Sequence, residues 1–574
     1  MLIILFALCQ FFSFFNPQAL AVSEIYNNFN SSHSPQEQKQ LYYQILNKAS
    51  GLDKSLTKQE WNLYLKINTS FASANKHQDF IQSVENVLNN TKPSLKAAIG
   101  LNQKTTFFDI LVYGDELPGI AAAITASRIY AKPLRIALIR PNSAQEPLGG
   151  LITRGGLAYL DRNQLNDSLP ASSEFYKEFL ERAQVHKIAL DPALSNKVLK
   201  QMLAEAHIEV ISGTELEPII EENKIKILQV KGTERQIKAN IYIDASPNAD
   251  LARKAGLKYN IGFESLGLKK VTLPISPIFQ TKNLNAAELQ TIEKSIFQSP
   301  QLMQKIKNKI KTDIPDQAYA DWLLESLNKQ MFIGEDYIDI RSIALGAAYH
   351  LYYNKVYNLK SGFLFDRANI AILKNGNLSW NGFLYKVSPQ EILLNGSKPN
   401  AEMIAELKNF EFWLAHFKPE KNIKVLAPKE LYIRHLLNIT DVIKPLSDEE
   451  ILQGGLPSNK AIGTFCYYFD IRGGIDGLKG KMFKPVFNFG IEHSLTKLEN
   501  LAVIGRSAGY IGLAPAIGRI LELNTSIGCG IGAAAVLSLR ENKTFNQITS
   551  QEARQEINKL NNLHFALQAS IFRP

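Results

Sequence analysis

In the segment Gly114-Asp115-Glu116-Leu117-Pro118-Gly119, residue types and spacing point most directly to chemistry. Before it, Ile110, Leu111 and Val112 supply the apolar run of a strand covered on both faces. After it, Ala121, Ala122 and Ala123 keep a helix narrow enough to lie close to a sheet. A strand, a glycine turn and such a helix offer free N–H groups and a positive dipole end, which suit the pyrophosphate of a dinucleotide. Gly114 permits the sharp turn, and Gly119 permits the close approach of helix to strand. The usual G-x-G-x-x-G pattern is incomplete, because Glu116 stands where a second glycine brings backbone to phosphate. A carboxylate is thereby set near an anion. The plainer alternative is a β-turn-α unit whose glycines serve the turn alone.

Few other constellations carry chemistry. The nine histidines show no ligand spacing, so no metal site is expected. There is no nucleophile elbow, Walker-type phosphate loop or nucleic-acid module. The formal charge of +10 over 574 residues comes from interspersed Lys, Arg, Asp and Glu, which reads as a solvated surface. An acidic polymer or anionic membrane surface is the minor alternative. A hydrophobic fraction of 45% is that of a folded chain.

The elements that must position the glycine turn follow from periodicity. Residues 105–255 alternate strand and helix: a second buried strand at Leu134–Ile139, a helix at Ser195–Ala206 and a short strand at Ile208–Ile211. An antiparallel pair follows over Ile219–Val230 and Gln236–Ile243, with a polar turn near Glu222-Asn223, and Ile241–Ala245 is again a buried strand. This predicts an α/β nucleotide domain. Residues 256–490 mix helices with strand-like stretches such as Asn369–Leu373 and suit an α+β substrate domain. Residues 491–545 return to α/β character, with a strand at Leu501–Ile504 and a small-residue helix at Gly528–Leu539. A capping box from Thr549 to Glu552 opens a final helix within 546–574.

The first part of the chain reads differently. Met1–Phe15 is almost wholly apolar, and Ala19-Leu20-Ala21 fits cleavage before Val22, so residues 1–21 are expected to be a signal peptide. Export to a bacterial periplasm or exterior follows, with no stable membrane span after cleavage. Residues 22–104 read as a helical appendage, with capping boxes beginning at Ser34 and Thr57. After cleavage only Cys466 and Cys529 remain, too few for a disulfide framework. Asn68 and Asn438 begin Asn-x-Ser/Thr matches, which matter only in a eukaryotic host.

Several short segments, in order, resemble one family. Tyr113-Gly-Asp-Glu-Leu-Pro-Gly119 is similar to its Y-G-G-T-P-A-G. Leu148-Gly-Gly-Leu-Ile-Thr153 with Gly156-Leu-Ala-Tyr-Leu-Asp161 is similar to L-G-G-x-x-T…G-L-x-x-x-D. Tyr242-Ile-Asp-Ala-Ser246, with Ala249–Ala252 and Ala255-Gly256, resembles I-D-A-T-G-D-x-D-L-A…A-G. Leu431-Tyr-Ile-Arg434 resembles L-Y-V-R-E, and Phe469-Asp-Ile-Arg472 resembles a D-x-H element. Glu499–Arg506 resembles E-N-L-L-V-A-G-R, and Ala514, Arg519, Gly528 and Gly532 keep the spacing of A…R…G-Q-A-A-G. These are the FAD-dependent oxidoreductases with a glutathione-reductase-type nucleotide domain, and this chain resembles a divergent exported member over roughly 105–545.

The resemblance implies a Rossmann-like FAD-binding domain of three layers (β/β/α) with the substrate domain inserted. It implies that Gly114, Glu116, Pro118 and Gly119 border the pyrophosphate and that Gly149 and Gly150 let backbone approach the cofactor. Ala245 and Ser246 would lie near the adenosine-pyrophosphate region, and Gly505 and Arg506 would meet the ribityl-pyrophosphate portion. Arg519 would support cofactor or substrate. Gly528, Ile531 and Gly532 would begin a helix whose N-terminus faces the flavin pyrimidine. The family's acidic residue at the end of the second strand is here Arg140, which would meet a phosphate or face solvent. Pro247 replaces a glycine, and Arg472 stands where a histidine is usual.

On the substrate side, Arg434 and Arg472 are candidates because guanidinium binds anions and stabilises reduced flavin. Tyr159 and Asp161 could line the flavin edge, and His493 could supply a base. The expected activity is hydride transfer to FAD from a small-molecule or glycan-like substrate, with an unidentified electron acceptor. The rival reading is a degenerate flavoprotein fold used for binding without redox turnover. A lyase acting on acidic polysaccharide is a third reading, resting on charge and export alone.

Overall fold

The computed structural model describes residues 105–571 apart from 131–132, 164–173 and 476–482. The signal peptide and the helical region of residues 22–104 lie outside the described residues.

β1 (Thr105–Tyr113) is the axis of a seven-stranded sheet. Its apolar run is buried on both sides. Ile110 and Val112 pack against helices, while Leu111 and Tyr113 join the core on the opposite face. β2 (Ile136–Arg140) and β3 (Glu209–Ser212) extend the sheet in parallel on one side. On the other side, β6 (Gln236–Asp244) runs parallel to β1, with Tyr113 opposite Asp244. The strand Leu501–Val503 returns from far along the chain and adds in parallel to the C-terminal half of β6.

The stretch expected as a single strand over Ile219–Val230 is a hairpin of β4 (Leu216–Glu221) and β5 (Lys224–Val230). Its polar turn is the anticipated one. Glu222 and Asn223 have φ of 46° and 62°, the left-handed pair that a two-residue hairpin requires. β5 then pairs antiparallel with the start of β6, so the sheet ends in a three-stranded β excursion. This is a Rossmann-like fold.

α1 (Leu117–Ile129) and α3 (Leu521–Glu541) cover one face of the sheet, flanked by α2 (Pro192–Glu205). α3 starts seven residues before the expected Gly528, so Gly528, Ile531 and Gly532 lie inside it and form no helix N-terminus. The glycines are needed for packing. A Cβ on Gly528 would lie 2.2 Å from the carbonyl oxygen of Pro118, and one on Gly532 would lie 2.3 Å from that of Ala122. α3 is long and apolar enough to cross a membrane by composition, but it is buried in this core. α4 (Ser550–Ile571) opens with the anticipated capping box, in which Thr549 and Glu552 bond each other's backbone N–H.

Residues 256–490 contribute a second sheet. Its strands are β7 (Phe279–Lys282), β8 (Phe332–Ile333), β9 (Tyr337–Asp339), β10 (Phe363–Ile372), β11 (Leu378–Tyr385) and β12 (Lys424–Leu426). They lie in the order β12-β7-β11-β10-β9-β8, all antiparallel. Phe279, Trp380, Phe383 and Phe410 stack and edge-pack beneath it. This aromatic core runs without a break into the back of the Rossmann sheet.

Two packing features carry testable consequences. Gly528→Ala overfills the α1–α3 contact and is expected to cost about 1–3 kcal/mol in urea unfolding. His350, His435 and His493 are buried, and burial lowers their pKa values to about 3, about 4 and about 3. His350 Nε2 accepts the Phe365 N–H, a bond that only the neutral ring can make. Below about pH 6.5 the unfolded chain binds protons that the native state excludes, so stability falls as pH falls. At about pH 5 each histidine is expected to cost about 2 kcal/mol relative to neutral pH. His493→Phe should flatten the pH dependence of the unfolding midpoint.

Candidate functional site

The site starts where β1 and β6 end side by side. Gly114 has a φ of 103°, and a Cβ there would lie 2.6 Å from the Ala245–Ser246 peptide. A Cβ is equally impossible at Gly119, where it would sit 2.4 Å from that of Ala245. Gly114, Gly119, Ala245 and Ser246 are therefore brought together as the sequence motif implies. Asp244 fixes the β6 end: its carboxylate accepts from the N–H and Oγ of Ser246 at 2.9 and 2.6 Å and from the Ala252 N–H at 2.8 Å. The Pro247 carbonyl accepts from Ser507 Oγ, which ties this turn to the Gly505-Arg506 turn.

Glu116 precedes α1 without capping it. Its backbone bridges to Gly149, and its side chain turns into the loop of Gly149 and Gly150, whose φ values are 115° and 53°. The Leu151 N–H donates to Glu116 Oε2 at 3.3 Å. A Cβ on Gly150 would lie 2.6 Å from the same carboxylate. Arg506 faces it from the third side, Nη2 to Oε1 at 3.9 Å, and Arg506 Nε is buried with no hydrogen-bond partner. Burial pushes the Glu116 pKa up, with Arg506 opposing. The Arg506 turn is held by Asn438, whose Nδ2 donates to the carbonyls of Arg506 and Ala508 at 2.9 Å each. His435 Nε2 lies 2.7 Å from Asn438 Oδ1 and orients that amide.

Arg140 neither faces solvent nor is free for a phosphate. It is 1% exposed. Its five N–H groups go to Ser212 Oγ, Asp115 and the carbonyls of Pro147, Ser143 and Glu146. Asp115 also takes both terminal nitrogens of Arg154, at 2.6 and 2.9 Å, and Arg154 Nε pairs with Glu430 at 2.7 Å. Burial of arginine at the end of β2 thus recruits the neighbouring Asp115, and the result is a brace. The sequence carries no local signal for Asp115, Arg154 and Glu430 as partners, since Asp115 lies 25 residues before Arg140 and Glu430 lies 276 after Arg154.

On the substrate side, residues far apart in sequence converge on Asp470. Arg519 Nη2 donates to Asp470 Oδ2 at 2.9 Å and Arg519 Nη1 to Tyr432 Oη at 2.8 Å, while Arg519 Nε is buried without a hydrogen-bond partner. Arg434 lies 3.2 Å from the same carboxylate oxygen and donates to the backbone carbonyls of Asp470 and Arg472. Arg434 therefore positions this turn, whereas the Arg472 guanidinium reaches into the cavity, 3.6 Å from Asp366. Arg434, Arg472, Arg519, Arg367, Asp161, Asp366 and Asp470 all line this cavity, four guanidiniums against three carboxylates. The cluster is linked to the glycine loop, because Leu151 packs in one apolar group with Tyr432.

Tyr159 does not join this cluster. Its ring packs edge-on against Tyr337, and its backbone bridges to Ala189. His493 is buried against Tyr510, 3.2 Å from its hydroxyl, and is held neutral there. Among the described residues no group of His, Cys, Asp and Glu could hold a metal ion.

Removing Asp115 leaves the buried Arg140 guanidinium with no carboxylate partner and Arg154 with Glu430 alone. Asp115→Ala is expected to cost about 3–5 kcal/mol in urea unfolding. Glu430→Ala should cost less, because Glu430 is the less buried end of the brace and Arg154 keeps Asp115.

No curated protein shows a significant match to the chain. Among solved structures, it is similar to the myxobacterial chondrochloren halogenase CndH at 11% identity, covering 81% of this chain and 82% of that one, with a TM-score of 0.35. It is also similar to L-proline dehydrogenase from P. horikoshii at 11% identity, covering 79% and 98%, with a TM-score of 0.32. Likenesses this distant say nothing of substrate. The family model for FAD dependent oxidoreductases matches residues 109–557, most of the chain's 574. The chain belongs to the FAD-dependent oxidoreductases, and FAD is its cofactor.

Proposed function

We propose that the protein oxidises a small anionic substrate held by the arginine cluster around Asp470, with FAD as hydride acceptor. The observation that carries this reading is the excess of guanidinium over carboxylate in a partly open cavity, with a buried guanidinium nitrogen of Arg519 left unpartnered. A buried excess of positive charge favours a ligand that supplies the missing negative charge. An acidic sugar or a small carboxylic acid meets that requirement; a neutral glycan does not.

The residues present fit the cofactor. The glycine turn of β1 and α1, the left-handed Gly149-Gly150 loop and the unpartnered Nε of Arg506 form a polar cradle, with no room for a Cβ at Gly114 against the Ala245–Ser246 peptide or at Gly150 against the Glu116 carboxylate. FAD supplies the electron sink when bound. Arg472 binds and orients the substrate anion, Arg434 holds the 470–472 turn that carries Arg472, and Arg519 is fixed beside both by Asp470 and Tyr432. No imidazole among the residues described here stands ready to take the substrate proton, because His493 is committed to Tyr510. Asp161, 3.5 Å from Arg519 at the cavity wall, is the carboxylate placed to accept it.

The reading is tested by loading the full chain with FAD, removing free flavin, and adding small carboxylic acids and acidic sugars without oxygen. A retained flavin band that bleaches with an acid and not with its neutral analogue is the expected result. Arg472→Met is expected to weaken substrate binding about 10- to 100-fold, the loss of one charged hydrogen bond, with flavin content unchanged. Arg472→Lys should restore part of it. A retained flavin band that no anionic substrate bleaches would favour the binding-only alternative.

A further inference from the structure

We propose that FAD binding to this chain is coupled to protonation of Glu116, whose carboxylate occupies the pyrophosphate cradle until a proton neutralises it. This rests on FAD being the cofactor, as in the reading above. Three observations carry it. Glu116 stands where the second glycine of the usual G-x-G-x-x-G pattern brings backbone to phosphate. Its carboxylate already accepts the Leu151 N–H of the Gly149-Gly150 loop and faces Arg506, so the chain's own anion uses the donors that a phosphate would need. It also fills the space above Gly150 that a Cβ could not enter.

Two anions cannot share these donors without strong repulsion in so buried a place. A protonated Glu116 removes the charge and turns one oxygen into a donor toward phosphate. The charged groups facing it decide how readily it takes the proton. Arg506, on the turn after the strand Leu501–Val503, and Arg154, after the glycine loop, favour the carboxylate. Asp115 beside it in the turn, and burial, favour the acid. Bringing a pyrophosphate against this group adds negative charge and favours the acid further. The linkage has one sign: binding takes up a proton, so affinity falls as pH rises.

The test is titration of the full chain with FAD, followed by flavin fluorescence, from about pH 5.5 to about 8. It is joined to calorimetry in two buffers of different ionisation enthalpy, which counts protons. Neither the pyrophosphate diester nor the flavin ring titrates in that interval. The apparent Kd of the natural chain is expected to rise with pH, approaching tenfold per unit where Glu116 is ionised, with uptake approaching one proton. Glu116→Gln and Glu116→Gly should bind FAD at least about tenfold more tightly at the alkaline end, with a flat profile and no proton uptake. A pH-independent Kd with no proton uptake in the natural chain overturns the coupling and leaves the oxidoreductase reading standing. The same slope in Glu116→Gln as in the natural chain also overturns it. Absence of FAD binding to the natural chain and to both variants at every pH overturns the coupling and the redox reading together.

Discussion

The site depends on how closely α1 is pressed between the sheet and α3. Gly119 lets α1 lie on Ala245 of β6, and Gly528 and Gly532 let α3 lie on the backbone of Pro118 and Ala122. At the α3 contact backbone meets backbone, and at the sheet only the methyl of Ala245 and the side chain of Val112 intervene. The start of α1 is therefore fixed in space by close packing on both sides, and everything that meets there inherits that position: the Gly114 turn, Glu116, the Gly149-Gly150 loop and the Arg506 turn. Close packing of this kind leaves little room to relax, so each glycine in it is a constraint on fold and site at once.

Buried charge is handled in two ways in the same molecule. Around Asp115, two arginines meet two carboxylates and a set of backbone carbonyls, and every N–H of Arg140 is used. Such a brace is closed to ligands. Around Asp470, positive charge exceeds negative, and Arg519 keeps an unpartnered nitrogen. Such a cluster is open to a ligand. The difference lies in hydrogen bonds and in exposure: Asp115, Arg140 and Arg154 of the brace are out of water, whereas Arg472, Arg367 and Asp161 at the second group are partly exposed.

Much of the nucleotide-binding half was legible in the sequence because its signals are local. The apolar run of β1, the glycine turn and the alanines of α1 lie within twenty residues of one another, and the strands that flank β1 are short apolar runs bounded by polar turns. The start of α3 was not legible. Ile520 caps no backbone group through its side chain, and Leu521–Ile527 carries no capping signal, whereas Gly528 and Gly532 imitate the beginning of a helix when their role is contact with α1. The burial of Arg140 was not legible because its partners come from three separate segments: the turn after β1, the loop after β2 and β3. The brace on Asp115 and the convergence of Arg434, Arg472 and Arg519 on Asp470 are tertiary facts, assembled from residues up to hundreds of positions apart.

Asn438 draws these threads into a practical consequence. With Ile439 and Thr440 it forms an acceptor sequence for N-linked glycan, yet its amide is 1% exposed and both carbonyls at the Arg506 turn depend on it. A sugar on that nitrogen and the native hydrogen bonds exclude each other. Oligosaccharyl transfer acts on chains still unfolded, so passage through a eukaryotic secretory route sets modification against folding at this one residue. The surviving product would be sorted by which event came first, with glycan-bearing molecules lacking an ordered Arg506 turn. A bacterial host, or Asn438→Asp paired with Thr440→Ala for comparison, separates the loss of the amide from the loss of the sequon.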